Sequence, residues 1–376
     1  MKKPDKERKI HILHAAHKRF LRSIRTDSGR KKKSNKRRSC DRSIRPDIEA
    51  PAKLDLYSTK NHLNFVSFLE RFRTHVKNNS STTITFRNTT RITAAAGLIL
   101  VAETDRLAKA YPEKKIRCFL PPSISEGQYR NSSNAVESAL NQIGFFKAIG
   151  QINHRHANLK SISRWKQLSG NTADGSLARS LLDSLGDRVT EISKKKIYRG
   201  AIEAIANCVE HAYPANRPDG LDIDDRRWWM LVGLDDENLS VIVCDLGVGI
   251  PSTLPAKHPE TLLETIKQKF SIFGTNDSDM IMLSSHIKQT RTKLKNRGKG
   301  GKDFRSIIRN FPTALFSIRS NKGVFCISGK DCRPMKAISA RRFIEGTNKT
   351  ESVLEHTKSI RGTLLEWVVP LKDLAQ

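Results

Sequence analysis

The 376-residue chain lacks any long apolar run. Its longest, around Ala94–Ala102, falls far short of the roughly 20 residues a membrane helix needs, so the chain is expected not to span a membrane. The basic N-terminus is not followed by the roughly 7–15-residue apolar stretch of a secretory leader. Cysteine is sparse and scattered: Cys40, Cys118, Cys208, Cys244, Cys326 and Cys332 include no Cys-x-x-Cys pair. That excludes a zinc ribbon or a disulfide framework and suits a reducing, cytoplasmic setting. Acidic residues are in deficit, 38 against 68 Lys+Arg, for a net charge of +30. Hydrophobic residues make up 37%, enough for folded cores but low if the whole length were core. At about 150 residues per domain the length allows two or three domains.

The charge is unevenly placed. Residues 1–45 hold 18 Lys+Arg and 4 Asp+Glu, a net of +14 and so nearly half the excess. The densest part, Arg30–Arg38, reads RKKKSNKRR. Such a block repels itself and buries little, so residues 1–50 are expected to be a largely disordered basic arm. Within it, Arg8–Arg25 sets Ile10, Leu13, Phe20, Leu21 and Ile24 among cations, a pattern for a basic amphipathic helix. Lys and Arg in such an arm can bind nucleic-acid phosphates by releasing counterions. Solvation and docking onto an acidic partner are the alternatives. Without interleaved aromatics, any nucleic-acid contact would ignore base sequence. His154 and His156 lack Cys or carboxylate partners at ligand spacing and read as surface residues. His11, His14 and His17, at helical i, i+3, i+6 spacing, read as part of the basic helix, where neighbouring cations oppose a divalent ion.

Pro46 and Pro51 close the arm, and residues 51–150 alternate helix and strand patterns. Apolar residues recur at helical spacing over Asn61–Val76, a β-branched strand covers Thr83–Phe86, a helix Ala94–Ala110, a strand Lys115–Leu120 and a helix Ala135–Ile143. That alternation suggests a layered α/β sandwich. With the stretches TRITAAAGL and IGFFKAIG it resembles a STAS domain, the fold of anti-sigma-factor antagonists. In that family a Ser or Thr at the start of the central helix can be phosphorylated; here Thr93 stands before three alanines, and the usual Asp-Ser pair is absent. Residues 151–175 are polar and read as a connector.

Chemistry-bearing motifs lie in 176–376. Leu177–Ala212 reads as one helix, or two broken near Gly186. It places Glu203 and Asn207 four residues apart on one face. Trp228–Leu234 and Leu239–Cys244 flank a polar turn, a hairpin signal. The second run ends in Asp245-Leu246-Gly247-Val248-Gly249-Ile250-Pro251. A carboxylate at a strand end can accept a hydrogen bond from an exocyclic amine, and the glycines let backbone approach a flat ligand. Ser252–Asn296 reads as a long lid with a basic stretch at Lys288–Lys295. Gly298, Lys299, Gly300 and Gly301 then precede a helical segment, a place where backbone N–H groups point at an anion. Asn321-Lys322-Gly323 makes a hairpin turn, and Gly362-Thr363 opens a last strand.

This order resembles the GHKL, or Bergerat-fold, ATPase superfamily of histidine-kinase, type II topoisomerase and mismatch-repair ATPases and anti-sigma kinases. The resemblance covers roughly residues 176–371. It implies an α/β (α+β) sandwich with a nucleotide under a mobile lid, and ATP and Mg²⁺ as ligands. It assigns Asn207 to Mg²⁺, Asp245 to the adenine amine, and Gly247 and Gly249 to the adenine pocket. Gly298, Lys299, Gly300 and Gly301 would embrace the phosphates, Thr363 would support Asp245 through a hydroxyl or water, and Glu203 would orient the attacking water. Where many relatives carry a hydrophobic residue after the glycines, this chain has Gly301-Lys302. A histidine kinase needs a preceding dimerisation hairpin, and a topoisomerase a following transducer; neither is legible. The expected function is therefore an Mg·ATP-binding regulatory protein with slow hydrolysis, whose lid switches a protein partner. The alternatives are a Ser/Thr kinase of the anti-sigma type and a nucleic-acid-binding protein, acting through residues 1–45, that senses ATP. A homodimer is among the expected assemblies.

Overall fold

The computed structural model describes residues 47–121, 132–151, 164–183, 189–215, 217, 226–235, 237–272, 274–287, 310, 311, 313–328, 340–343 and 350–375. Residues 1–46 of the basic arm, His154, His156 and the Gly298–Gly301 run lie outside them; residues 47–50, expected to belong to the arm, lie inside and contain a strand, Ile48–Glu49. The protein is mixed α/β, and its described part divides into two compact units, 47–151 and 164–375. Among the described residues no helix is long and apolar enough to cross a membrane.

In the first unit β1 (Ile48–Glu49), β3 (Ser81–Thr85) and β5 (Lys115–Phe119) form a parallel sheet in the order β1-β3-β5, and β2 (Lys53–Leu54) pairs in parallel with β4 (Arg91–Ile92). The helices are α1 (Thr59–Asn78), α2 (Ala94–Ala110), α3 (Ser132–Gln142) and α4 (Phe145–Ala148). Phe65, Phe68, Leu69 and Phe72 give α1 a buried stripe. Helix α2 is enclosed over its whole first half, as its apolar run requires. Thr93 caps α2 by accepting the Ala96 N–H at 3.4 Å and is itself fully buried, so its hydroxyl is closed to modification in this state. Buried Glu103 of α2 accepts from Arg73 of α1 at 3.0 Å and from Arg106 at 2.9 Å, joining the two helices.

The second unit is built on an eight-stranded antiparallel sheet. Its strands are β6 (Arg164–Gly170), β7 (Trp228–Leu234), β8 (Asn238–Asp245), β9 (Leu315–Ser320), β10 (Gly323–Ser328), β11 (Ala340–Phe343), β12 (Thr350–Glu355) and β13 (Thr363–Pro370), ordered β11-β12-β10-β9-β13-β8-β7-β6. The helices are α5 (Gly175–Asp183), α6 (Glu191–His211), α7 (Ile250–Lys257), α8 (Glu260–Phe270), α9 (Asp277–His286) and α10 (Leu371–Leu374). Alternate residues of the central strands, among them Val241 and Val243 of β8 and Leu365 and Trp367 of β13, share one core with Ile197, Ala201, Ala204 and Ile205 of α6. Chain order is broken at β13, which returns from the C-terminal end to lie between β8 and β9.

One expectation changes here. The 151–175 connector contains β6, an edge strand paired with β7. An edge strand with only Leu168 packed on the main core, and Trp165 buried on the opposite face, leaves little alternating apolar signal. The segment read as a lid from Ser252 is helical through α9. Leu254, Leu263, Ile272 and Leu283 pack together, and Ile281 is fully buried in the main core. As the alternative reading held, 177–212 is two helices, α6 being capped by Thr190, whose Oγ1 accepts the Ser193 N–H at 3.3 Å.

Candidate functional site

The site forms at one end of the central strands. Asp245 ends β8, and Thr363 begins β13 directly opposite it in the antiparallel register. Asp245 is only 4% exposed. Its Oδ1 accepts the Gly247 N–H at 2.9 Å and the Thr363 N–H at 3.2 Å. The Cys208 thiol of α6 donates to the same carboxylate. Burial pushes the Asp245 carboxyl up to about 6, and the three hydrogen bonds hold it from rising further. Burial and the neighbouring Asp245 charge push the Cys208 thiol well above its ordinary range, so it stays protonated and can donate.

The loop after Asp245 is clamped from both sides. On the α6 side, the Val248 N–H donates to Ala212 O at 2.9 Å, and the Leu246 N–H donates to the Tyr213 hydroxyl at 3.0 Å. That hydroxyl in turn donates to Arg227 O. A Cβ at Gly247 would lie 2.0 Å from Ala212 O, so the close approach requires glycine. On the β9 side, Asn321 Nδ2 donates to Val248 O at 2.9 Å, and Ser320 Oγ accepts the Ile250 N–H at 2.9 Å. Gly249 has a left-handed φ of 85°, and a Cβ there would meet Asn321 Nδ2 at 2.6 Å. Thr363 differs in detail from its expected role. Its backbone N–H reaches Asp245, while its hydroxyl bonds Ser320 Oγ at 3.0 Å.

Glu203 and Asn207 lie on α6 one turn apart, both partly buried, with Asn207 Nδ2 donating to Glu203 O at 2.9 Å. That bond commits the amide nitrogen and leaves Oδ1 as the atom suited to a hard cation. Glu210 and His211 follow on the same helix, and the ring of His211 lies 3.9 Å from the Glu210 carboxylate. Lys257 at the end of α7 feels the Glu210 charge, and burial lowers its ammonium to about 8. Among the described residues no group of three or more His, Cys, Asp or Glu could hold a metal by itself. Gly298, Lys299, Gly300 and Gly301 lie outside the described residues, as does the Lys288–Lys295 stretch. The structure thus brings Asn207, Asp245, Gly247, Gly249 and Thr363 onto α6 and the strand ends beside it. Cys208, Tyr213, Ser320 and Asn321, which complete the cradle, carry no sequence signal beyond their adjacency to Asn207, to the helix end and to the hairpin turn.

No family model matches the chain, and no curated protein matches it significantly.

Proposed function

We propose that the second unit binds Mg·ATP and hydrolyses it slowly, in the manner of the GHKL superfamily its motif order resembles, and that nucleotide state switches contact with a protein partner. The observation that carries the reading is the buried Asp245 carboxylate with a polar cradle built around one oxygen. A carboxylate offers about four acceptor positions. Gly247, Thr363 and Cys208 use three, and an exocyclic amine such as that of adenine suits the fourth. A carboxylate this deeply buried is expensive unless a ligand uses it, which favours function over structure.

In this reading the flat base lies beside the loop of Gly247, Val248 and Gly249, whose glycines are buried against Ala212 and Asn321 and whose Val248 is partly exposed. Asn207 Oδ1 would offer one ligand to Mg²⁺, and the ion would supply neutralisation of phosphate charge. By the motif resemblance, Gly298, Lys299, Gly300 and Gly301 would hold the phosphates through backbone N–H groups and one ammonium. Glu203 orients the attacking water and accepts its proton. Isothermal titration of the full chain with ATP and Mg²⁺ tests binding, with Asp245→Asn as the variant that loses it. Label from γ-labelled ATP should appear as free phosphate; its appearance on a protein would make the unit a kinase instead.

A further inference from the structure

The second unit also carries a half-open cavity of about 500 Å³, bordered by Gly247 and Val248 of the loop on which the preceding reading lays the base. That size lies within the range of small-molecule pockets. The loop after β8, the starts of α7 and α9, the β9–β10 turn and the β12–β13 connection wall it; Glu203, Asn207, Asp245 and Thr363 do not line it. Three cations, Arg217, Lys322 and Arg361, face two carboxylates, Asp277 and Glu355. Both carboxylates are committed to backbone. Asp277 Oδ2 accepts the Lys322 N–H at 2.9 Å, and Glu355 Oε2 accepts the Ser278 N–H at 3.0 Å. Asp277 therefore holds the β9–β10 turn, and Glu355 serves the first turn of α9, whose N-cap Asn276 makes no side-chain cap of its own. The positive end of that helix offsets part of their charge. The ion pairs formed among the described residues use neither Lys322 nor Arg361. Arg361 is held in a left-handed conformation, φ 57°, with its N–H on Ser359 Oγ at 3.0 Å.

We infer that this cavity is a phosphate site, taking the phosphate groups of a small molecule on Arg361 and Lys322, with Arg217 adding charge from the wall. A guanidinium fork matches phosphate oxygens two at a time, and an ammonium adds a point charge. The site is joined to the Asp245 cradle by Asn321, which lies in the cavity wall and holds Val248 O at 2.9 Å. Two sources supply this chemistry. One is the polyphosphate of a nucleotide whose base lies on Asp245, which rests on the preceding reading. The other is a separate phosphorylated molecule.

Sodium tripolyphosphate is the probe, titrated calorimetrically into the full chain at physiological salt. Wild type is expected to bind saturably. The Lys322→Gln/Arg361→Asn double variant, in which Asn tolerates the left-handed backbone, is expected to bind at least about tenfold more weakly, as loss of a charge-assisted hydrogen bond predicts. Asp245→Asn should bind tripolyphosphate as wild type does. ATP that displaces the probe from wild type but not from Asp245→Asn assigns the site to the nucleotide's own phosphates; ATP that binds alongside it assigns the site to a separate molecule. If ATP does not bind at all while the probe does, the ATP reading fails and the phosphate site stands. Absence of probe binding, or undiminished binding in the double variant, overturns the inference. Should the double variant fail to fold, Lys322→Gln alone, at an exposed turn position, must weaken binding for the inference to survive.

Discussion

Asp245 is a carboxylate held where burial works against its charge, and its variants separate stability from function. Its folded-state carboxyl titrates near 6, against about 3.9 in an unfolded chain. Below pH 4 or so the group is neutral in both states and contributes nothing. As pH rises from about 4 to about 6 only the unfolded chain releases the proton, so the native state loses stability, and the full cost persists above. Asp245→Asn, which keeps an oxygen for Gly247 and Thr363, is therefore expected to be more stable than wild type at pH 8, by an amount on the order of 2 kcal/mol. Urea melts across pH should show the gain fading towards pH 4; a gain independent of pH would assign it to packing. The same titration predicts that ATP affinity falls as pH drops through about 6, where Asp245 gains a proton and loses acceptor capacity. At Glu203 the expectation is the reverse split. Glu203→Gln should lower phosphate release by about 100-fold or more, the usual weight of a positioned acid–base group, and leave ATP affinity within about twofold. Equal loss of binding and turnover would give Glu203 a structural role.

At the scale of elements, the loop between β8 and α7 is set by contact with the end of α6. Gly247→Ala drives a methyl into Ala212 O, so either the loop or the helix end must shift and the Val248–Ala212 hydrogen bond is lost. Destabilisation of about 2 kcal/mol or more is expected in a denaturant melt; a variant as stable as wild type would mean the loop moves freely. Within 250–272 and 274–287, Leu254, Leu263, Ile272 and Leu283 pack on one another and Ile281 packs in the main core. Helices show in the sequence where the apolar stripe is strong. Ala94–Ala110 is legible from its apolar run after a capping Thr93, and its observed bounds match. The hairpin β7–β8 is legible for a similar reason, as two apolar runs around a polar turn. Helices α7 to α9 were hidden because Pro255, Gly274 and many polar residues interrupt the pattern, and their partners are one another rather than the sheet alone. The contact between Asp245 and Thr363 was hidden more deeply. The two are 118 residues apart, and only the insertion of β13 between β8 and β9 brings the two motifs together. That topology is a tertiary fact that local periodicity does not encode.

At the scale of the molecule, the net charge of +30 divides into parts with different work. Nearly half lies in residues 1–45, and the cavity cations and the Lys299 run account for further local concentrations near candidate phosphate positions. On the alternative reading in which the arm binds nucleic-acid phosphates by counterion release, a chain lacking residues 1–45 should lose salt-sensitive binding to DNA or RNA while keeping its ATP affinity. Retained nucleic-acid binding would move that activity to the folded units. The account as a whole stands on the cradle at the end of β8, and isothermal titration of ATP with Mg²⁺ into wild type and Asp245→Asn tests it most directly. It predicts saturable binding by wild type and binding at least about tenfold weaker in a variant that folds as well or better. Equal binding by both proteins, or none by wild type, would contradict it.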